Sequence, residues 1–127
     1  MEEQLVHRLI QIGVRTLNAH QNEQAEKYGV KIFQIKDLPD PTHLNLTGPI
    51  YVSFDMDALD PAFAPGVSHW EPGGLTTREA IGYLHALPGP IIGADIVEFN
   101  PVRDSTGLTA TVAAKILKEL LGKMLAA

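Results

Sequence analysis

The stretch Ile50-Tyr51-Val52-Ser53-Phe54-Asp55-Met56-Asp57 decides how the rest of the chain is read. A short, nearly continuous apolar run ends abruptly in two acids. This is the pattern of a strand covered on both faces that opens into a site at its C-terminal end. Ile91 to Val97 has the same character, and Leu9 to Val14 and Lys31 to Gln34 are weaker runs of the same kind. Helical patterns separate them. Ala19 to Tyr28 stops at Gly29 as a left-handed cap, and Thr77 to Leu87 stops at Pro88-Gly89-Pro90 after a Thr76/Glu79 capping box. Thr109 to Met124 closes the chain, with Val112, Ile116, Leu117, Leu120, Leu121 and Met124 on one helical stripe. Short apolar strands alternating with helices predict an α/β fold with a parallel sheet.

The 127 residues amount to one ordinary domain, and a composition of 45% hydrophobic and 20% charged residues with few aromatics predicts an aliphatic core. The net charge of −5 comes without any basic stripe, which argues against nucleic acid or an anionic membrane as partner and suits a cationic ligand. With no cysteine, thiolate metal sites, disulfides and a cysteine nucleophile are excluded, so any metal must sit on oxygen or imidazole. No basic region followed by an apolar run opens the chain and no stretch is long enough to cross a bilayer, so a cytoplasmic address is expected.

Residues 57–76 form a long loop rich in Pro and Gly, and loops of that length in compact domains usually carry function. Asp55 and Asp57 are two apart, so on an extended chain their carboxylates point the same way. Such a pair repels unless a cation lies between, and oxygen donors of this kind suit Mg²⁺, Ca²⁺ or Mn²⁺. The competing reading is a pair of turn or capping aspartates at a strand end, the role that Asp60 before Pro61 fits best. In Gly93-Ala94-Asp95-Ile96-Val97-Glu98-Phe99-Asn100-Pro101, Glu98 could accept paired hydrogen bonds from a planar guanidinium, or form an ion pair with Arg103, while Asp95 lies deeper. The five histidines show no metal-gripping i, i+4 pair and read as surface residues, His69 excepted. His69, in the loop after the aspartates, is either an acid/base or substrate contact or a packing residue, and Trp70 beside it reads as a packing anchor or interface residue.

Taken in order, Ser53 to Pro61, Ala64 to His69, Glu71 to Thr76 and Asp95 to Pro101 resemble the last motif blocks of the ureohydrolases, the arginase and agmatinase family. Gln11-Ile12-Gly13-Val14-Arg15 resembles the strand after that family's central metal motif, and Glu23-Gln24 fits the helix beyond it. Gly66-Val67-Ser68-His69 followed by Glu71-Pro72-Gly73-Gly74 is most similar to the arginases of plants and related bacterial enzymes. The resemblance implies a three-layer α/β/α parallel sheet, part of an arginase/deacetylase-like fold. It also implies a centre of two manganese ions that activates water to attack a guanidinium carbon and release urea. Carried over motif by motif, Asp55 would bridge the metals, Asp57 would bind one, and Glu98 would orient the guanidinium. His69 would stand near the substrate where many relatives have threonine, and Asn18 would meet the substrate's amino acid end.

The departure from the family matters as much. Its other four ligands come from a Gly-Gly-Asp-His block and an Asp-Ala-His-x-Asp block, and neither is present in these 127 residues. The resemblance therefore implies the C-terminal part of a ureohydrolase domain over residues 1–127, a partial reading frame that is inactive by itself. Its parent would hydrolyse arginine to ornithine and urea. The alternatives are agmatinase or another guanidino hydrolase, and a non-catalytic split subunit or metal- and partner-binding module. The expected partners are a guanidino small molecule and either further copies of the chain or a complementary N-terminal chain. Half a parallel sheet should expose an edge and an apolar face, which predicts self-association.

Overall fold

The computed structural model describes every residue except Glu2, Gln4 and Ala127. It divides into two compact units, Met1–Pro39 and Asp40–Ala127.

The first unit is a strand, a helix and a parallel strand: β1 (Ile10–Val14), α1 (Ala19–Tyr28) and β2 (Lys31–Gln34). The pairing skips a register step between Ile12 and Val14, where Gly13 takes φ 86, a conformation that glycine reaches without a Cβ clash. None of the residues of α1 is buried, so its ends do much to define it. The Asn18 side chain accepts from the Gln21 N–H at 2.8 Å while the Gln21 side chain accepts from the Asn18 N–H at 2.9 Å. At the other end Gly29, at φ 63, turns its N–H back to the carbonyls of Ala25 and Glu26.

The second unit holds β3 (Ile50–Asp55), α2 (Thr77–Ala86), β4 (Ile91–Val97) and α3 (Leu108–Leu125). β3 and β4 are parallel, with Ser53 opposite Asp95 and Asp55 opposite Val97. Ile50, Phe54 and Ile91 of the strand pair, Ala80, Ile81 and Leu84 of α2, and Val112, Ile116 and Leu120 of α3 are all buried. Each large aliphatic side chain removed from water in this way is worth about 1.5–3 kcal/mol.

Two expectations need correction. Among the described residues of the second unit β3 and β4 are not covered on both faces: Tyr51 is 57% and Ile92 67% exposed. The open face carries a polar clasp, in which the Tyr51 and Ser53 hydroxyls donate to the two oxygens of Asp95 at 2.8 and 2.6 Å. The apolar stripe of α3 is also narrower than its sequence suggests. Val112, Ile116 and Leu120 stack at intervals of four and are buried, whereas Leu117 and Leu121, one step further round the helix, stay 48% and 47% exposed.

Candidate functional site

The two acids after Phe54 are brought together differently from the extended-chain expectation. β3 ends at Asp55, and Met56–Ala58 form a single 3₁₀ turn. Asp55 acts as the cap of that turn, its Oδ1 accepting from the Asp57 N–H at 3.0 Å. The capping role and the paired-carboxylate role thus coincide in one residue.

The loop that follows is held by its own polar contacts. Leu59 and Leu75 bridge its two ends, and Asp60 clips them: Oδ1 accepts from the Ala62 N–H at 2.8 Å, and Oδ2 from the Gly73 and Gly74 N–H groups at 2.6 and 3.2 Å. Further along, Val67 pairs with Phe99 just after β4, and the Asn100 N–H donates to the Gly66 carbonyl at 2.8 Å. The Asn100 side-chain amide donates to the Ser68 hydroxyl at 3.1 Å. Gly66 lies against the start of α3, donating its N–H to the buried Thr109 hydroxyl at 2.7 Å. A Cβ at position 66 would fall 2.6 Å from Asp104 Cβ, so only glycine fits. Asp104 in turn caps α3, accepting from the Thr109 and Ala110 N–H groups. Trp70 is 58% exposed and is therefore no core anchor. It pins the loop through Nε1–H to the Pro65 carbonyl at 2.8 Å, under the Arg103 guanidinium 5.5 Å from its ring centre.

These anchors gather three of the expected residues. One ligand atom each of Asp57, His69 and Glu98 lies within 4.8 Å of the other two. Asp57 is half-buried, while His69 and Glu98 are exposed to solvent. Glu98, immediately after β4, adopts φ 63, the left-handed region that a side chain other than glycine's rarely enters. Among the described residues Glu98 makes no ion pair with Arg103, which lies over Trp70 instead. Asp55 stands beside the cluster. Burial pushes its carboxyl up to about 6, and the charges of Asp57 and then Glu98 add to the rise, while the bond from the Asp57 N–H opposes it. Like charges are therefore crowded here, as in a site shaped for a cation. Two carboxylates and one imidazole suit a hard or borderline divalent ion such as Mn²⁺, so the donor set fits the metal that the sequence resemblance implies. A carboxylate free of an ion-pair partner also suits a guanidinium.

Asp95 is not part of this cluster. The hydroxyls of Ser53 and Tyr51 hold its carboxyl below the usual range. Asn18 belongs to the first unit, where its side-chain oxygen caps α1. Sequence reasoning misses Asn100 and Thr109. The hint for Asn100 is its place before Pro101, but for the hydroxyl of Thr109 there is no sequence signal.

Comparison with known proteins agrees with this geometry. The model of the arginase family matches residues 1–122. The chain is 46% identical over 132 residues to the mitochondrial arginase 1 of Arabidopsis thaliana, covering 98% of this chain and 39% of that protein. It is 36% identical over 135 residues to a guanidinobutyrase of Pseudomonas aeruginosa, covering 95% and 42%. Among solved structures, an arginase from Medicago truncatula superposes with TM-score 0.89 at 43% identity, over 97% of this chain and 42% of that one. A triple mutant of a T. brucei arginase-like protein bound with Mn²⁺ superposes with TM-score 0.87 at 27% identity, over 97% and 44%. The chain thus spans about two-fifths of the length of the relatives it matches.

Proposed function

The chain belongs to the arginase family, and from that premise we propose that it forms one part of a manganese-dependent guanidino hydrolase whose parent converts arginine to ornithine and urea. The observation that carries this reading is the convergence of Asp57, His69 and Glu98 beside Asp55. In the complete site Asp55 and Asp57 hold metal, and Glu98 receives the planar guanidinium through paired hydrogen bonds. His69 contacts the substrate beside it. When bound, the metal pair supplies a water nucleophilic at neutral pH and polarises the carbon it attacks. The chain's own contribution is to aim the guanidinium: Glu98 fixes its plane, and the Asn100–Ser68 contact keeps the loop bearing His69 against the end of β4.

A second reading, hydrolysis of another guanidino compound, is favoured by the likeness to a guanidinobutyrase. The open face of β3 and β4 and the outer leucines of α3 support a further element of the proposal, that the chain associates with itself or with a complementary chain bearing the other metal-ligand blocks. The test is urea release with added Mn²⁺ from arginine, agmatine and a guanidino acid lacking the α-amino group. The chain is assayed alone and together with a polypeptide carrying the Gly-Gly-Asp-His and Asp-Ala-His-x-Asp blocks. Turnover of arginine only by the combined chains is expected. Turnover by this chain alone would overturn the reading that the site is incomplete, and preference for another guanidino compound would select the second reading.

A further inference from the structure

We propose that the outer face of α3 pairs with the same face of a second copy of this chain, the two helices running antiparallel. The proposal rests on the association element of the proposed function and commits that element to one surface and one partner. The outer leucines of α3 belong to a continuous stripe. At about 100° per residue, Ala110, Ala114, Leu117, Leu121 and Leu125 fall within a band about 80° wide, apart from the buried face of Val112, Ile116 and Leu120. All five are exposed among the described residues, Leu125 to 86%. Their spacing of three and four positions is that of a seam between two helices.

The order of sizes along the stripe selects the partner. Its first half is small and its second half large, so a parallel copy would set alanine against alanine and leave a gap there. Turning the copy end for end about an axis between Leu117 and Lys118 places Ala110 opposite Leu125 of the partner subunit, and Ala114 opposite Leu121 of the partner subunit. Small then meets large at each step. The stripe is about 24 Å long, and a pair of helices of that length buries on the order of 1,000 Å² in total, the lower limit for a specific interface. Association is therefore reversible, with half the chains paired at about 10–100 µM. Exposed Lys118 flanks the seam next to the axis, so its ammonium meets that of the second copy, whereas Lys115 is engaged by Glu119 on another side of the helix.

The experiment follows the 127-residue chain in EDTA by sedimentation equilibrium, over concentrations from about 5 to about 500 µM. A reversible equilibrium between single and paired chains is expected, and Leu121→Gln should weaken it about tenfold or more. Circular dichroism melting at the lowest concentration checks that the variant folds. A charge swap supplies a readout that a folding defect would not produce. Lys118→Glu mixed with the parent chain should pair about threefold more tightly than the parent alone, because the like charges beside the axis become opposite. A parent chain that stays single throughout, Leu121→Gln pairing within about twofold of the parent, or a mixture no tighter than the parent would each overturn the proposal. Should Leu121→Gln in that event lose binding to the polypeptide that carries the missing blocks, the stripe belongs to that polypeptide and not to a second copy. The guanidino-hydrolase reading fails separately, through lack of urea release once the missing blocks are supplied.

Discussion

Replacing Asp60 with alanine should open the loop that carries His69. The carboxylate accepts three backbone hydrogen bonds, from Ala62 at 2.8 Å, Gly73 at 2.6 Å and Gly74 at 3.2 Å, so one side chain ties the first turn of the loop to its return. A hydrogen bond to a charged acceptor contributes about 1.5–3 kcal/mol when its donor has no other partner, but these donors are partly hydrated, so the total loss comes to about 3 kcal/mol. For 127 residues that corresponds to a fall in melting temperature of about 10 °C. Asp60→Asn keeps one oxygen acceptor and should lose about half as much. Urea denaturation followed by circular dichroism measures both variants, with equal slopes confirming that the loss is in stability. A variant within about 0.5 kcal/mol of the parent would refute the claim that this carboxylate organises the loop.

Two further outcomes follow from charge. Asp55, pushed up to about 6 from 3.8 mainly by burial, binds its proton more readily folded than unfolded. Its ionised form therefore opposes folding above pH about 6, and the penalty fades as pH falls toward 4. The shift of about two units would cost about 3 kcal/mol if the group were fully buried, and solvent screening of a half-exposed carboxyl reduces that to about 1–2 kcal/mol. In EDTA, Asp55→Asn should therefore be more stable than the parent by that amount near pH 7.5, by about a third of it near pH 4.5, and nearly equal to it near pH 3.5; a difference independent of pH would sink the argument. Glu119 shows the opposite sign, since Lys115 and then His85 hold its carboxyl down to about 2. The stability it contributes by joining α2 to α3 is present above the unfolded value of 4.5 and drains as pH falls toward 2. Glu119→Gln should melt earlier than the parent at pH about 6, with the gap closing on acidification, and a gap that widened would contradict the pairing.

The strands and helices were legible because apolar runs and caps are local signals. β2, β4 and α1 keep the boundaries read from the sequence, and β3 and α2 differ by one residue at an end. The Thr76/Glu79 and Gly29 caps fall where their residue types require. Burial was less legible, because it depends on what packs opposite. Tyr51 and Leu121 read as core residues, yet nothing in the second unit covers them. The paired acids were found by their spacing but for an incomplete reason, since a 3₁₀ turn and not a continuing strand joins them. The convergence of His69 with Glu98 could not be read from spacing, because it depends on Asn100 and Phe99 gripping a loop thirty-odd positions earlier in the chain.

Position 98 sets heat resistance against chemistry. Glycine would occupy φ 63 without the steric cost of about 1 kcal/mol borne by a residue with a Cβ. A library of variants sorted only for survival on heating should therefore enrich the substitution Glu98→Gly, giving a sturdier chain without the carboxylate at the end of β4. Breeding this scaffold for robustness calls for a paired screen that retains ligand capture.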